Sequence, residues 1–450
     1  MIRHPKKLTV ALAAAVAIAL TLSACAPGSS ATTTGSTGPV SKDVAGAGKV
    51  SITVWDQNTD GGIDVAQKKL NAQFEKKYPN VTIDRVSRSF ADLKTTLKLA
   101  LTSKDAPDVV QANQGYPDMG AFVGGGLLRP VDDYSTLYGW DKYFPKQLLD
   151  LNTFSANGKD WQTGHLYGVS QTGEIVGVYY NKKILSSLGL TPPKTIGDFE
   201  TDLAAVKKAG ILPIAYGDVE KSPGIHLYGV VQAAIAGSKA VNNLVRAKSG
   251  AWTDTSSVEA ATILTNWVDK GYLTPDANGI SRDDALAAFM AGKAAFTITG
   301  TWQLQTVTEG LGADAGFLAL GPNGSTTPVT TGGEGLAWAM TSATKHPDVA
   351  AAYIDFVSNA KASQVLVDTG NLPTVPPADW APAKGTLAAD VASEWKRVNA
   401  SSGLVPYLDY STPTFYDTLT AAVQELTAGK ATPQQFATTL QADYAAFTGR

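Results

Sequence analysis

Residues 285–302 read "ALAAFMAGKAAFTITGTW", and this stretch joins a helix to a strand. Ser281 and Asp284 form a predicted capping box at the start of the helix, and Gly292 is a residue that ends helices. The β-branched and aromatic residues of "AFTIT" then predict a strand. Trp302 follows this strand directly, so its ring either fills the core or stays available to a ligand.

A βαβ pattern lies N-terminal to this stretch. The segments "KVSITVW" (49–55), "VTIDRV" (81–86) and "DVVQA" (108–112) predict three strands. Between them, apolar residues recur every four positions, which predicts two amphipathic helices. Elements that alternate at this spacing predict a parallel sheet. The C-terminal part shows only helical periodicity, and Thr432 and Gln435 predict a capping box for its last helix.

Length and charge narrow the function classes. A chain of 450 residues is too long for one ordinary core, so we expect two lobes. With 44% hydrophobic and 17% charged residues, the composition is that of a globular protein. The net charge of −3 becomes −6 once the three positive charges of residues 1–24 are removed. This balance argues against a nucleic-acid partner.

The N-terminus carries an export signal. Arg3, Lys6 and Lys7 precede the apolar run "LTVALAAAVAIALTL" and then "LSAC", which predicts a signal peptide over residues 1–24. A single membrane-anchoring helix is the alternative. Cys25 is the only cysteine, so we expect no intrachain disulfide. Residues 25–48 are rich in Gly, Ser, Thr and Ala, which predicts a flexible tether behind Cys25.

Catalytic and metal-binding signatures are missing from the sequence. It contains no G-x-S-x-G, no P-loop, no G-x-G-x-x-G and no H-E-x-x-H. His165, His226 and His346 lack the spacing of metal ligands, so we expect no metal site. Adjacent carboxylates such as Asp132 and Asp133 point apart in regular structure. A glycosidase that draws its carboxylates from distant positions stays open.

Amide and aromatic side chains follow the predicted strands. The first strand runs into "WDQNTDGG" and the third into "NQGYPD". Ligands bind at strand-end loops of parallel sheets. Amides both donate and accept hydrogen bonds, as sugar hydroxyls do, and a flat ring matches the apolar face of a pyranose. These segments therefore favour the binding of a neutral polyol.

Five segments in order give the chain a resemblance to the sugar-binding lipoproteins of bacterial ABC importers (solute-binding protein family 1, maltose/oligosaccharide-binding-like). They are "LSAC", "ITVWDQN" with "FEKKYPNVTI", "GEIVGVYYNKKIL", "ALAAFMAGKAAFTITGTW" and "GLAWAMTSATKHPDVAAAYIDFV". The resemblance spans nearly the whole chain. It implies an α/β, two-lobed, type II periplasmic-binding-protein-like fold, in which each lobe is a mostly parallel sheet flanked by helices. It also implies cleavage before Cys25 with lipid attachment to its sulfur; an incidental cysteine is the alternative.

The same resemblance implies a division into lobes and a transport role. Lobe 1 would comprise residues 49–168 and 336–395, and lobe 2 residues 169–335 and 396–450. The chain would cross near 166–174, near 332–340 and again before the C-terminal helices. A di- or oligosaccharide would bind in the interlobe cleft, and an ABC permease would read the closed form. The protein would be a lipid-anchored, extracellular monomer with no cofactor and no catalytic residue.

Ligand-binding residues are transferred from the resemblance position by position. They are Asp56, Gln57, Asn58, Arg88, Asn113, Gln114, Tyr116, Glu174, Trp302, Gly333, Glu334, Tyr407, Asp409 and Tyr410. Glu174 would accept two sugar hydroxyls, and Trp302 would stack on the sugar. The alternatives are a turn or cap for residues 56–58 and for Asn113, a surface role for Arg88, and core or rim packing for the rings.

Two other classes of function stay open. One is a secreted carbohydrate-active enzyme, and the other is a structural or adhesive surface lipoprotein. Within the binding class, the ligand could instead be a polyol, a polyamine or a peptide.

Overall fold

The computed structural model describes residues 39–59 and 61–450. The predicted signal peptide and Cys25 lie outside these residues. The strands are β1 Val50–Asp56, β2 Val81–Ser87, β3 Val109–Ala112, β4 Thr153–Phe154, β5 His165–Leu166, β6 Gly168–Val169, β7 Gly173–Asn181, β8 Leu212–Ala215, β9 Ala294–Gly300, β10 Ala315–Leu318, β11 Thr330–Glu334, β12 Ala337–Met340 and β13 Leu404–Val405.

Helices cover most of the remaining chain. They are α1 Gly61–Lys77, α2 Phe90–Leu101, α3 Ala121–Gly124, α4 Asp132–Tyr138, α5 Trp140–Tyr143, α6 Lys146–Leu149, α7 Lys182–Ser187, α8 Ile196–Lys208, α9 Ser222–Val245, α10 Thr255–Asp269, α11 Arg282–Met290, α12 Leu304–Leu311, α13 Pro347–Ser358, α14 Ala360–Asp368, α15 Leu387–Ala400, α16 Phe415–Thr427 and α17 Pro433–Thr448. No helix in the described part of the chain is long and apolar enough to cross a membrane.

The first sheet has the strand order β2-β1-β3-β12-β6. Strand β1 pairs in parallel with both β2 and β3, which confirms the predicted βαβ pattern. Strand β12 returns antiparallel to β3. Ile52 and Val54 on β1 are fully buried, and they share a core with Phe74 of α1 and Tyr353 of α13. The strands of this sheet bury alternate side chains, and helices cover the sheet at those side chains.

The second sheet has the order β13-β11-β7-β9-β8, with β10 also paired to β7. The strand predicted from "AFTIT" is β9, and it is buried along its whole length. Strand β7 runs antiparallel to β9, β10 and β11. The expectation of a mostly parallel sheet is therefore wrong for this half of the protein. The reason is that the chain enters β7 from the first sheet, whereas it leaves β11 towards the first sheet. The two strands therefore run in opposite directions.

The chain passes between the two sheets at short connections. Residues 170–172 separate β6 of the first sheet from β7 of the second, and residues 335–336 separate β11 of the second sheet from β12 of the first. The Thr374 amide donates to the Gln171 carbonyl at 3.0 Å, so a third segment runs beside the first connection. The division of the chain into two lobes at these connections stays a prediction of the resemblance.

The predicted tether is shorter than expected. Val44 is 1% exposed and belongs to the core of the first sheet. Asn80 Nδ2 donates to the carbonyls of Val44 at 2.9 Å and Gly48 at 2.8 Å, and the Ser41 amide donates to Asp348. The prediction of flexibility was wrong for residues 41–48, because a single valine and backbone hydrogen bonds suffice to dock this glycine-rich segment.

Helix caps follow the sequence closely. The capping boxes of Thr195 with Asp198 and of Thr432 with Gln435 are both complete. The Ser281 hydroxyl accepts from the Asp284 amide at the start of α11, at 3.0 Å. These contacts satisfy backbone N–H groups that have no partner within the helix. They also place α11 so that it leads directly into β9.

Candidate functional site

Polar side chains from both sheets meet where the chain crosses between them. Gln114 follows β3 of the first sheet, Glu174 lies near the start of β7, and Glu334 ends β11. Gln114 Nε2 donates to Glu334 Oε1 at 3.4 Å and to the Gly335 carbonyl at 2.9 Å. A Cβ on Gly335 would lie 2.8 Å from Glu174 Oε1, so glycine lets this carboxylate approach the crossing backbone.

Two tyrosines from the C-terminal part extend this network. The Tyr410 hydroxyl lies 2.9 Å from Asn113 Oδ1 and 3.1 Å from Gln114 Oε1, and it can donate to either. The Tyr407 hydroxyl donates to Glu174 Oε2 at 3.1 Å. A short 3-10 turn over Leu408–Ser411 holds the two rings 5.6 Å apart, nearly perpendicular.

Trp302 lies beside these groups. Its ring is partly buried against the core, and its centroid lies 5.0 Å from that of His226. The His226 ring in turn lies 5.7 Å from the Tyr407 ring. A Cβ on Gly300 would come within 1.9 Å of the indole ring, so glycine at the end of β9 creates the seat for Trp302. Trp302 is therefore partly exposed and is not a fully buried core residue.

We call these residues the acid–aromatic cluster: Gln114, Glu174, His226, Trp302, Glu334, Tyr407 and Tyr410. Six of its seven members are among the ligand-binding residues that the resemblance implied, and their role in binding stays a prediction. The predicted Asn113 adjoins it through Tyr410, and the predicted Gly333 pairs with Glu174 across β7 and β11. Gly333 has a φ of 142°, and a side chain there would collide with Leu151, so only glycine fits.

Burial dominates the electrostatics of the two glutamates. It raises the pKa of Glu334 to about 8, although hydrogen bonds from Asn152 and Gln114 favour the ionised form. The nearby Glu174 charge raises it further. Burial also raises the pKa of Glu174 to about 7, against the hydrogen bond from Tyr407. The two carboxyl groups interact, so they titrate as a pair near neutral pH.

Asp409 lies next to the cluster and is 5% exposed. Burial raises its pKa to about 7, Lys94 lowers it in part, and Asp118 raises it. Lys94 is itself paired with Asp118 at 2.7 Å. The structure thus brings this predicted residue close to the site, but it records no hydrogen bond between its side chain and the cluster.

The loop after β1 has a structural role. Asp56 is fully buried and accepts from Arg85 at 2.6 and 2.8 Å, and it also accepts from the Asn58 amide at 2.9 Å. Asn58 Nδ2 donates to Gln67, and the Gln57 amide donates to Gln111. These bonds correspond to the turn that the sequence left as an alternative. Among the described residues, none of these hydrogen bonds involves a member of the acid–aromatic cluster.

Arg88 contacts residues of the first sheet, and the Trp161 ring lies between Tyr116 and the cluster residue Tyr410. The Arg88 guanidinium stacks on the Trp55 ring at 4.4 Å, and the Arg88 amide donates to the Asp56 carbonyl. Tyr116 is 6% exposed and packs edge-on against Phe154 and Trp161. Tyr116 therefore packs in the core, which corresponds to the core packing that the sequence left as an alternative for the rings.

Sequence reasoning missed two residues at the site. His226 lies in the first half of α9 and faces Trp302 and Tyr407; burial lowers the pKa of its ring to about 3, so it is neutral. Asn152 is fully buried and its Nδ2 donates to Glu334 Oε1. Neither position carries a local motif, so no signal in the sequence pointed to them. Within residues 39–59 and 61–450, no group of three or more His, Cys, Asp or Glu side chains could hold a metal ion.

Comparison with known proteins identifies the family. Residues 59–364 match the model described as bacterial extracellular solute-binding protein. The chain belongs to this family. The maltodextrin-binding protein MdxE of Bacillus subtilis is 26% identical over 410 residues, which is 90% of this chain and 87% of MdxE. The multiple sugar-binding protein of Streptococcus mutans is 26% identical over 332 residues, covering 72% of this chain and 75% of that protein.

Solved structures share the fold of this solute-binding protein. A chitin oligosaccharide binding protein superposes with a TM-score of 0.76 at 22% identity, over 89% of this chain and all of that one (100%). The GacH receptor of Streptomyces glaucescens superposes with a TM-score of 0.70 at 20% identity, over 89% of this chain and 98% of that one. The two-lobed α/β fold of type II periplasmic binding proteins is therefore the fold of this chain.

Proposed function

We propose that this solute-binding protein captures a di- or oligosaccharide between its two lobes and delivers it to the permease of an ABC importer. The observation that carries this proposal is the acid–aromatic cluster. It joins carboxylates, amides and aromatic rings from both sheets at the place where the chain crosses between them.

The chemistry of the cluster suits a sugar. The partly buried ring of Trp302 offers an apolar face that can cover a pyranose. Glu174 and Glu334 can each accept hydrogen bonds from two neighbouring hydroxyls. The names of the maltodextrin-binding, multiple sugar-binding and chitin oligosaccharide binding relatives support the same ligand class.

Ligand entry requires the lobes to separate. Glu334 and Tyr410 are each only 3% exposed, so a saccharide cannot reach them in this conformation. We take residues 49–168 with 336–395 as one lobe and residues 169–335 with 396–450 as the other. Rotation at the connections 170–172 and 335–336 would open the cleft, and ligand contacts to both lobes would close it.

The N-terminus would hold the protein near its permease. In this proposal Cys25 carries the lipid, and the tether ends before Ser41, where the chain docks on the body. The protein would act as a monomer at the extracellular face of the cytoplasmic membrane. It would perform no reaction on its ligand.

A saccharide screen tests the proposal. The protein without residues 1–38 is mixed with mono-, di- and oligosaccharides, and binding is measured by thermal shift and by calorimetry. A true ligand at 100 times its Kd should stabilise the protein by about 2.7 kcal/mol. Trp302→Ala should remove most of the shift at the same ligand concentration, whereas Trp380→Ala, which alters a partly buried tryptophan outside the cluster, should retain it. Hydrolysis of glycosides, or no shift with any saccharide, would contradict the proposal.

A further inference from the structure

Acidic groups outnumber cationic groups at the acid–aromatic cluster. Glu174 and Glu334 lie within it, and Asp409 lies beside it. Among the described residues, none of these three carboxylates takes part in an ion pair. Lys94 is the cation that acts on Asp409, and it is already bound to Asp118 at 2.7 Å. When these carboxyl groups ionise, none of them has a dedicated cationic partner in the described part of the chain.

An amide at the same place has an unused acceptor. Asn152 is fully buried, and its Nδ2 donates to Glu334 Oε1. Its Oδ1 has no hydrogen-bond partner among the described residues. A buried acceptor without a partner is costly, and this one lies on the same side-chain amide that contacts Glu334. It needs a donor from outside the described network.

In this conformation the hydroxyl and amide donors of the cluster are already engaged. The Tyr407 hydroxyl donates to Glu174, and the Tyr410 hydroxyl donates to Asn113 or Gln114. Gln114 Nε2 contacts Glu334 and the Gly335 carbonyl. Among the described residues, the groups without a hydrogen-bond partner include the Asn152 amide oxygen and His226 Nδ1, and the carboxyl groups keep unused lone pairs. A sugar hydroxyl uses one donor there, whereas an ammonium group offers three donors and a positive charge.

Aromatic rings lie beside the same carboxyl groups. Trp302, His226 and Tyr407 form a row with centroid separations of 5.0 and 5.7 Å. A cation within about 6 Å of a tryptophan or tyrosine ring is attracted to its face. The rings therefore stabilise a positive charge as well as the apolar face of a pyranose.

We propose that the site selects saccharides that carry a protonated amino group over their uncharged parents. The inference rests on the proposed saccharide-binding function and specifies its ligand class. The ammonium group would lie between Glu174 and Glu334, with Asn152 Oδ1 as a further acceptor, and the pyranose ring would stack on Trp302. Near neutral pH, burial keeps Glu174 and Glu334 protonated in a fraction of the molecules. Binding of the ammonium group would favour the ionised form of both side chains. Protons would therefore be released on binding.

Matched sugar sets test this selectivity. Calorimetry at pH 7 compares glucosamine, galactosamine, mannosamine and the glucosamine trimer with glucose, galactose, mannose and cellotriose, and with the N-acetylated sugars. In at least one set, the amino sugar should bind tenfold tighter or more than both neutral forms, which corresponds to about 1.4 kcal/mol. Repeating the titration in two buffers of different ionisation enthalpy should reveal proton release.

The outcomes separate this inference from the proposed function. If neutral saccharides bind and no amino sugar binds more tightly, the inference fails and saccharide binding stands. If no saccharide of any kind binds, both fail. Glu174→Gln and Glu334→Gln should each reduce the ratio of amino-sugar to parent affinity at least fivefold. Glu200→Gln, which alters a glutamate bound to Trp267 outside the cluster, should leave that ratio unchanged. An unchanged ratio in both cluster variants would also overturn the inference.

Discussion

Exchanging Glu334 for glutamine should make the ligand-free protein more stable at alkaline pH. Glu334 is 3% exposed, and burial raises its pKa from 4.5 to about 8. Between those two pH values the folded state holds a proton that the unfolded state has released. The free energy of unfolding of the wild type therefore falls as pH rises through this window. Glutamine has no such proton and can still accept from Asn152 and Gln114.

The pKa shift gives the size of the effect. At about 1.4 kcal/mol for each pH unit, ionisation of Glu334 costs the folded wild type roughly 2 to 5 kcal/mol by pH 9, after allowance for its coupling to Glu174. At pH 5 the carboxyl is protonated in the folded state, so the variant and the wild type should agree within about 1 kcal/mol. The variant should thus gain relative stability from pH 5 to about pH 8, and the difference should level off above that pH.

Urea unfolding followed by tryptophan fluorescence at pH 5, 7 and 9 measures this difference. Asp409 and His226 titrate in both proteins, so their contributions cancel in the comparison. Glu200→Gln serves as the matched exchange outside the cluster, and the effect of Glu334→Gln is its excess over that control. A stability difference that stays constant from pH 5 to pH 9, or a wild type that is the more stable protein at pH 9, would refute the reasoning.

Three further outcomes follow from the same contacts. Trp302→Ala should weaken saccharide binding about 100-fold, because burying a large apolar side chain against the sugar is worth up to about 3 kcal/mol; calorimetry against Trp380→Ala decides this. Asp56→Asn should lower the free energy of unfolding by about 2 to 4 kcal/mol, since Arg85 keeps only Asp64, and it should leave the ligand preference of the cluster intact. Cys25→Ser in the full chain should shift the protein from the membrane fraction to the soluble fraction in a bacterial host, and continued membrane association would count against the lipid anchor.

Local pattern predicted much of the fold. The strand–helix alternation at residues 49–112 predicted the parallel part of the first sheet, and the caps at Thr195 and Thr432 predicted where two helices begin. The direction of β7 was not accessible in this way, because it depends on which sheet the preceding strand belongs to. The docking of Val44 likewise depends on a distant core that composition does not reveal.

In the candidate site, too, local pattern identifies some residues and long-range packing decides the others. Glu174, Trp302 and Glu334 stand next to strand ends and glycines, which are visible in the sequence, and the structure brings them together. Asp56 resembles a ligand residue in the same way, yet Arg85 on the neighbouring strand engages it fully. His226 and Asn152 join the site through tertiary packing alone. Strand-end chemistry therefore finds candidates, while long-range partners decide which of them stay free for a ligand.

A crystal structure of the protein with the tightest saccharide from the screen would show whether the acid–aromatic cluster binds the ligand. We expect one pyranose ring stacked on Trp302 and polar groups of the ligand within hydrogen-bond distance of Glu174 and Glu334. Electron density for the saccharide at any other place, with the acid–aromatic cluster unchanged and free of ligand, would contradict this expectation.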